Sequence, residues 1–155
     1  MEGARSATTA DLAEVAALAE WAIEELREHR GGSIWSRREA RPTPVGERVA
    51  FEMDADDHHI VVGTIDEVIV GYGAVRLAPL HDGENLGVID DLYVLPDGRG
   101  VGVGEAMMDL LVTWCTERAC VGVDAVALPG DRETKNFFET FGLKARAITV
   151  HRRLS

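Results

Sequence analysis

The chain has 155 residues, a length that suits one domain with a single hydrophobic core. Its formal net charge of −11 argues against nucleic acid or an anionic membrane as a partner, because both bind basic surfaces. The sequence shows neither a long apolar stretch nor an N-terminal signal peptide, so we expect a cytoplasmic protein. Its two cysteines and scattered histidines lack metal-ligand spacing, so no metal is expected.

Helices precede strands in the first part of the chain. Apolar residues at helical spacing predict a helix over about residues 11–27, capped by Thr8 or Thr9. The Gly-, Arg- and Pro-rich segment 31–44 predicts a loop or a broken helix, and a shorter helix is expected over about residues 44–53. Three strands then follow in close succession, with the sequences HHIVVGTI, VIVGYGAVRL and LGVIDDLYVLP.

The second part of the chain alternates helices and strands. A glycine-rich turn opens a helix that ends near Arg118, and the strand VDAVAL, a helix over 131–141 and a last strand ARAITVHRRL complete the chain. With a first strand at the N-terminus, the order is β-α-α-β-β-β-α-β-α-β. Hairpins come first and helix-connected strands later, which predicts an α/β fold with a mixed, mostly antiparallel sheet flanked by helices, over a single domain of residues 1–155.

The most informative run is Arg99-Gly100-Val101-Gly102-Val103-Gly104, which follows an apolar strand and leads directly into a helix. A helix N-terminus offers unpaired N–H groups and a partial positive charge, and glycines let a phosphate approach the backbone. The run therefore predicts a diphosphate-binding turn. Glycines at 98, 100, 102 and 104 alternate without the gap of a dinucleotide fingerprint, and no Gly-Lys-Ser/Thr of a kinase-type phosphate loop follows.

The pattern Arg-x-x-Gly-x-Gly at Arg99, Gly102 and Gly104 lies behind a strand that ends Val94-Leu95-Pro96, and NFFETFGL follows at residues 136–143. This combination resembles the acetyl-CoA signature of the GNAT superfamily of N-acetyltransferases, and the resemblance extends from about Thr8 to the C-terminus. It implies a transfer of the acetyl group from acetyl-CoA, the cosubstrate, to a primary amine on a small molecule or peptide. A homodimer is common for such folds, and a short C-terminal strand would leave an edge for the second copy.

The resemblance also implies roles for individual residues. Arg99 would lie beside the CoA diphosphate, Asp131 would approach the CoA arm or simply cap its helix, and Phe138 would line the thioester pocket or pack in the core. Strand residues would pair with the pantetheine amides, namely Leu92, Tyr93 and Val94. Backbone N–H groups of one continuous turn would hold the diphosphate, namely Gly100, Val101, Gly102, Val103, Gly104 and Glu105.

Two adjacent carboxylates are the candidates for binding the amine and taking its proton. An alkyl amine is mostly protonated at neutral pH, so it must lose a proton before it attacks the thioester. Asp90 and Asp91 precede the proposed pantetheine strand, and IDDLYV resembles the acidic pair of small-amine acetyltransferases. Regular alternation places Asp90 on the face of Leu92 and Asp91 on the face of Tyr93, so only a bulge would bring them together.

One position departs from the family. The Tyr that usually protonates the departing CoA thiolate aligns with Phe138, which has no proton to give. A different alignment of this helix, a hydroxyl from Tyr93 or Tyr72, or water are the alternatives for a catalyst. The other alternative is a non-catalytic acyl-CoA-binding or interaction domain with the same fold. Trp35, after the first helix, either borders the acceptor cleft or packs in the core.

Overall fold

Five strands form one sheet over residues 1–154, the part of the chain that the computed structural model describes. They are β1 (Glu2–Ser6), β2 (His58–Ile65), β3 (Val68–Pro79), β4 (Asn85–Val94) and β5 (Val123–Ala125). The sheet order is β1-β2-β3-β4-β5, with every neighbouring pair antiparallel except β4 and β5, which are parallel. The predicted mixed, mostly antiparallel sheet is confirmed.

Helices cover both faces of this sheet. Within the same residues they are α1 (Leu12–Arg27), α2 (Gly32–Arg38), α3 (Val45–Asp54), α4 (Val103–Glu117) and α5 (Arg132–Thr140). The first three pack on one face of the sheet, and α4 and α5 pack on the other. Strand β2 is therefore apolar on both sides, with Ile60 and Val62 towards α1 and α3 and Val61 towards α4. No helix among the described residues is long and apolar enough to cross a membrane.

Helix α1 begins at a charged cap that ties it to the first strand. The backbone N–H of Thr8 donates to the Asp11 carboxylate over 2.8 Å, and the guanidinium of Arg5 in β1 bonds the same carboxylate over 2.7 and 3.0 Å. The Arg5 contact, followed by the Thr8 N–H, lowers the pKa of Asp11 to about 2. The predicted role of Thr8 at the start of this helix fits this geometry.

The last predicted strand differs from the structure. The predicted strand ARAITVHRRL has no regular secondary structure over residues 145–154, and Ile148 and Val150 are 82% and 88% exposed. The β-forming residues here cover no apolar face, and strand formation depends on such packing more than on propensity. The segment 31–44 contains α2, so it is a broken helix.

Candidate active site

A β-bulge in β4 arranges the two acidic residues. The register between β3 and β4 shifts so that Ala74 opposes Asp91 whereas Val75 opposes Ile89, which leaves Asp90 as the extra residue. An extra residue reverses the alternation of side chains along the bulged strand. Ile89 packs with α4, and Asp90 and Asp91 both contact residues on the face of α1 and α3. The expectation that Asp90 shares a face with Leu92 is therefore wrong, because it assumed a regular strand.

Asp90 lies partly exposed beside a cation of the neighbouring strand. The Nε atom of Arg76 donates to its two carboxylate oxygens over 2.9 and 3.3 Å. Burial raises the pKa of Asp90 above its ordinary value; Arg76 opposes this shift, and the like charge of Asp91 adds to it. Asp90 is thus a carboxylate with increased proton affinity at the wall of a cleft.

Asp91 belongs instead to a buried charged cluster. The Nη1 atom of Arg41, in the segment between α2 and α3, bonds the Asp91 carboxylate and lies 3.4 Å from the hydroxyl of Tyr72. The same guanidinium donates to Glu52 of α3 over 2.8 and 2.7 Å. The side chains of Arg41, Glu52 and Asp91 are only 7%, 4% and 11% exposed. Burial disfavours the Arg41 charge, but Asp91 and then Glu52 raise its pKa above the ordinary value.

The sheet opens just beyond the bulge. Strands β4 and β5 are paired only over Gly87–Ile89, so the later part of β4 has no neighbour on that side among the described residues. Leu95 N donates to Val70 O over 2.8 Å, and antiparallel hydrogen bonding alternates along a strand. Leu92 and Val94 therefore direct their backbone N–H and C=O groups away from β3, into the opening. An extended ligand with amide groups can pair there as an added strand would.

Arg99 closes one end of this opening. Its Nε atom donates to Val94 O over 2.7 Å, and its Nη2 atom contacts the Glu25 carboxylate of α1 at 3.0 and 3.3 Å. The guanidinium carbon lies 5.5 Å from the ring centroid of Tyr93. Burial, followed by the charge of Glu25, raises the pKa of the Tyr93 hydroxyl.

The glycine run forms the turn before α4. Gly100 and Gly102 have φ angles of +83° and +95°, which favour glycine, and Gly102 caps the helix, its carbonyl accepting from Ala106 N over 3.1 Å. At Gly104 a side chain would contact the Phe137 ring, since a Cβ there would lie 3.2 Å from two ring carbons. The glycine therefore leaves room for the Phe137 ring, and Gly104 and Glu105 of the first turn of α4 line the cleft.

Helix α5 and α2 supply the remaining walls. Asp131 caps α5, accepting from Thr134 N over 3.3 Å and from the Thr134 hydroxyl over 2.6 Å, so the capping interpretation is confirmed. Phe138 and Trp35 are both buried, and both also line the cleft. For these two residues core packing and a place at the cleft are therefore combined. Tyr72 is fully buried and is not among the residues that line the cleft.

The structure brings most of the predicted site residues to one cleft. Those that line it are Asp90, Asp91, Leu92, Tyr93, Val94, Arg99, Gly100, Gly104, Glu105, Asp131 and Phe138. Three residues of the predicted turn do not line it: the side chain of Val101 is exposed, that of Val103 is buried against the sheet, and Gly102 is the helix cap. No group of three or more potential metal ligands occurs within the described part of the chain.

Sequence reasoning missed four charged residues of this site: Glu25, Arg41, Glu52 and Arg76. Arg76 had a usable signal, because opposite charges on adjacent antiparallel strands pair and β3 was predicted to form a hairpin with its neighbours. Arg41 had none, since it lies in an irregular segment. Glu25 was hidden among the polar residues of an amphipathic helix.

The chain belongs to the GNAT acetyltransferase family, whose sequence model matches residues 15–143. No curated protein matches it significantly. Solved structures show the same fold at low sequence identity. An aminoglycoside N-acetyltransferase in complex with CoA is similar with a TM-score of 0.75 and 14% identity, over 99% of this chain and 95% of that chain.

Two further structures agree with this fold assignment. A ribosomal-protein-alanine N-acetyltransferase from Brucella melitensis biovar Abortus 2308 gives a TM-score of 0.71 at 18% identity, with 100% of both chains covered. A tetramutant of the BH1408 protein from Bacillus halodurans gives 0.80 at 21% identity, over 97% of this chain and 99% of that chain.

Proposed function

We propose that this protein transfers the acetyl group of acetyl-CoA to a primary amine by direct attack of the amine on the thioester. The observation that carries the proposal is the bulge in β4. It sets a carboxylate of raised proton affinity, Asp90, at the wall of a cleft that also contains an unpaired strand edge and a glycine turn. An amine and a thioester can therefore meet beside a group able to take a proton.

The residues present fit acetyl-CoA, which supplies an activated acyl thioester when bound. The outward backbone groups of Leu92 and Val94 would pair with the pantetheine amides. Backbone N–H groups between Gly100 and Glu105, a stretch in which a helix of 15 residues begins, would bind the diphosphate, aided by Arg99. Gly100, Gly104 and Glu105 are the residues of this stretch that line the cleft. The missing side chain of Gly104 lets the Phe137 ring pack against the start of this helix.

Asp90 is the carboxylate we assign to the acceptor amine. Asp91 is already bound by Arg41, whereas Asp90 is partly exposed and its contact with Arg76 is solvent-accessible. An acceptor that binds as its ammonium first gives one proton to Asp90, directly or through water, and Asp90 releases it to solvent. As the neutral nitrogen then bonds to the acetyl carbon, the carbon–sulfur bond breaks and the nitrogen gives its second proton to Asp90. The raised pKa of Asp90 suits this role, since a stronger base accepts the proton more readily.

The thiolate product needs a proton, and the backbone must stabilise the negative charge that develops on the carbonyl oxygen. We assign the second task to the N–H of Val94, which faces the opening. For the first task Tyr93 lines the cleft and Tyr72 does not, so Tyr93 or water is the proton source. Phe138 lies in the cleft wall with no hydroxyl, which favours slow release of the thiolate.

The proposal is tested by mixing the protein with acetyl-CoA and a panel of small-molecule and peptide amines, and following free CoA thiol. Continuous thiol release that depends on the amine supports it. Tight CoA binding without turnover on any amine supports instead the second candidate, a non-catalytic acyl-CoA-binding domain, which the absence of a hydroxyl at Phe138 favours. A protein that does not bind CoA contradicts both.

Paired substitutions test the assignment of the base. Asp90→Asn should lower kcat about 10²–10⁴-fold, the usual contribution of a general base, and remove the acidic limb of the pH profile. Asp91→Asn should affect stability more than kcat, because it removes one partner of a buried cation. The exposed Asp109 on α4 provides the control Asp109→Asn, which should leave both unchanged. Equal rates for all three variants would contradict the role of Asp90.

Phe138→Tyr tests the proton source separately. If protonation of the thiolate limits the reaction, a hydroxyl at this buried position in the cleft wall should raise kcat without changing the KM for the amine. A kcat equal to that of the wild type would show that thiolate protonation by this position does not limit turnover.

A further inference from the structure

The side chain of Arg99 lies across the cleft, between the end of β4 and helix α1. It holds two groups at once: its Nε atom donates to Val94 O over 2.7 Å, and its Nη2 atom contacts the Glu25 carboxylate at 3.0 Å. All three residues line the same cleft. The guanidinium therefore occupies space through which a ligand running along β4 must pass.

CoA, the ligand that we propose for this cleft, would compete with both contacts of the Arg99 side chain. Val94 O is one of the strand groups that we propose to pair with the pantetheine arm, so that ligand competes with the Nε atom of Arg99. The CoA diphosphate, which would bind at the turn that begins one residue later, competes for the guanidinium charge with Glu25. The Arg99 and Glu25 side chains are each 37% exposed, so solvent screens their attraction, and a diphosphate can replace Glu25 as the partner of Arg99.

Glu25 would then lose its cationic partner and remain in the cleft lining beside the hydroxyl of Tyr93. Its neighbours along α1, Ala22 and Leu26, line the cleft with it. Asp90, the carboxylate that we assign to the proton of the amine, would keep its contact with Arg76, and Asp91 would stay bound to Arg41, so Glu25 is the carboxylate of these three that loses a cation when CoA binds. Once Arg99 has moved, an ammonium group is the natural replacement for the lost guanidinium at Glu25.

We propose that the ion pair between Arg99 and Glu25 is a latch, which CoA opens by drawing Arg99 to its diphosphate, and that the released Glu25 carboxylate then binds the ammonium group of the acceptor. This inference rests on the proposed function of the cleft. It makes Glu25 an acceptor-positioning residue and predicts ordered binding, with acetyl-CoA first.

The latch is tested on CoA alone, by calorimetric titration of the full chain. Glu25→Gln removes the pair without removing Arg99, so the Kd for CoA should fall roughly twofold to fivefold, the range that an exposed ion pair represents. The matched control is Glu24→Gln, which removes the same charge one residue away, where the carboxylate bonds Arg27 and does not line the cleft. Its Kd should equal that of the wild type.

A second substitution separates the latch from a general charge effect. In an Arg99→Ala background, Glu25→Gln should no longer tighten CoA binding, because no pair remains to be broken. The latch would be overturned if Glu25→Gln and Glu24→Gln had equal Kd values for CoA, or if Glu25→Gln still lowered the Kd in the Arg99→Ala background. In either case, CoA binding by the wild type would still support the proposed cleft. No CoA binding by the wild type would overturn the proposed function and the latch together.

Kinetics test the acceptor half of the inference with an amine that the protein acetylates. Glu25→Gln should lower the KM for acetyl-CoA and raise the KM for the amine, whereas Glu24→Gln should change neither. A structural defect would impair both substrates in the same direction, so opposite shifts are the signature of the latch. An unchanged KM for the amine would exclude Glu25 from acceptor binding.

Discussion

Removal of Arg41 should destabilise the protein far more than removal of any exposed arginine. Arg41→Gln leaves Asp91 and Glu52 without their guanidinium, and these carboxylates are only 11% and 4% exposed. Breaking a buried ion pair by removing one partner typically costs about 3–5 kcal/mol, because a charge remains buried without compensation. The free energy of unfolding should therefore fall by about that amount in urea titrations followed by tryptophan fluorescence.

The control for this prediction shares a partner with Arg41. Arg48 contacts the same Glu52 carboxylate at 3.2 Å but is 39% exposed, so Arg48→Gln should cost no more than about 1 kcal/mol. If the two variants lowered the free energy of unfolding by amounts that agree within about 1 kcal/mol, the reasoning would be refuted, because burial would then have no effect on the cost. If Arg41→Gln still folds, the charge of Asp91 is no longer compensated and should raise the pKa of its neighbour Asp90 further, because like charges favour the protonated form. The acidic limb of the pH profile of kcat should then shift to higher pH.

Three further predictions concern stability and the glycine turn. Asp11→Asn should lower the free energy of unfolding by about 1–2 kcal/mol at pH 7, a value discounted because Arg5 is half-exposed. The pKa of Asp11 is about 2 in the folded protein and 3.8 ordinarily, so in urea titrations the difference from wild type should persist above pH 4 and shrink as the pH falls towards 2. Gly102→Ala places a side chain at a φ of +95°, so it should lower the free energy of unfolding by about 1–2 kcal/mol and lower Tm. An unchanged Tm would contradict this prediction. Gly46→Ala, inside α3 with its nearest contact at an ordinary 3.6 Å, should keep or raise Tm in the same scan.

The parts of this fold that the sequence predicts are those with local periodic signals. The apolar spacing of α1 and α4 and the short apolar runs of β2 and β3 reflect surfaces that must be buried, so they are visible residue by residue. The turn from Arg99 to Gly104 is equally local, because positive φ angles and a helix start demand glycine there. The last predicted strand does not form for the opposite reason: Ile148 and Val150 have strand propensity, but both are exposed and pack on no apolar surface.

The arrangement of the site depends on contacts that are distant in sequence. The segment IDDLYV is compatible with a regular or a bulged strand, and its pairing with β3 decides which of them forms. The cluster of Arg41, Glu52 and Asp91 joins three segments, 50 residues apart at the widest, through a single guanidinium. Such long-range charge pairing has no periodic signature. A single chain therefore could not show which of the two aspartates remains available.

The open edge of β4 divides the cleft between two contiguous stretches of the chain. Cleft-lining side chains such as those of Glu25, Trp35 and Asp90 precede Leu92 in the chain, whereas the turn, the start of α4 and the cap of α5 follow it. A single genetic crossover within this strand would exchange one half and retain the other. Under the proposed function, such an exchange would change the part of the cleft that contains Asp90 and keep the turn that would bind the CoA diphosphate.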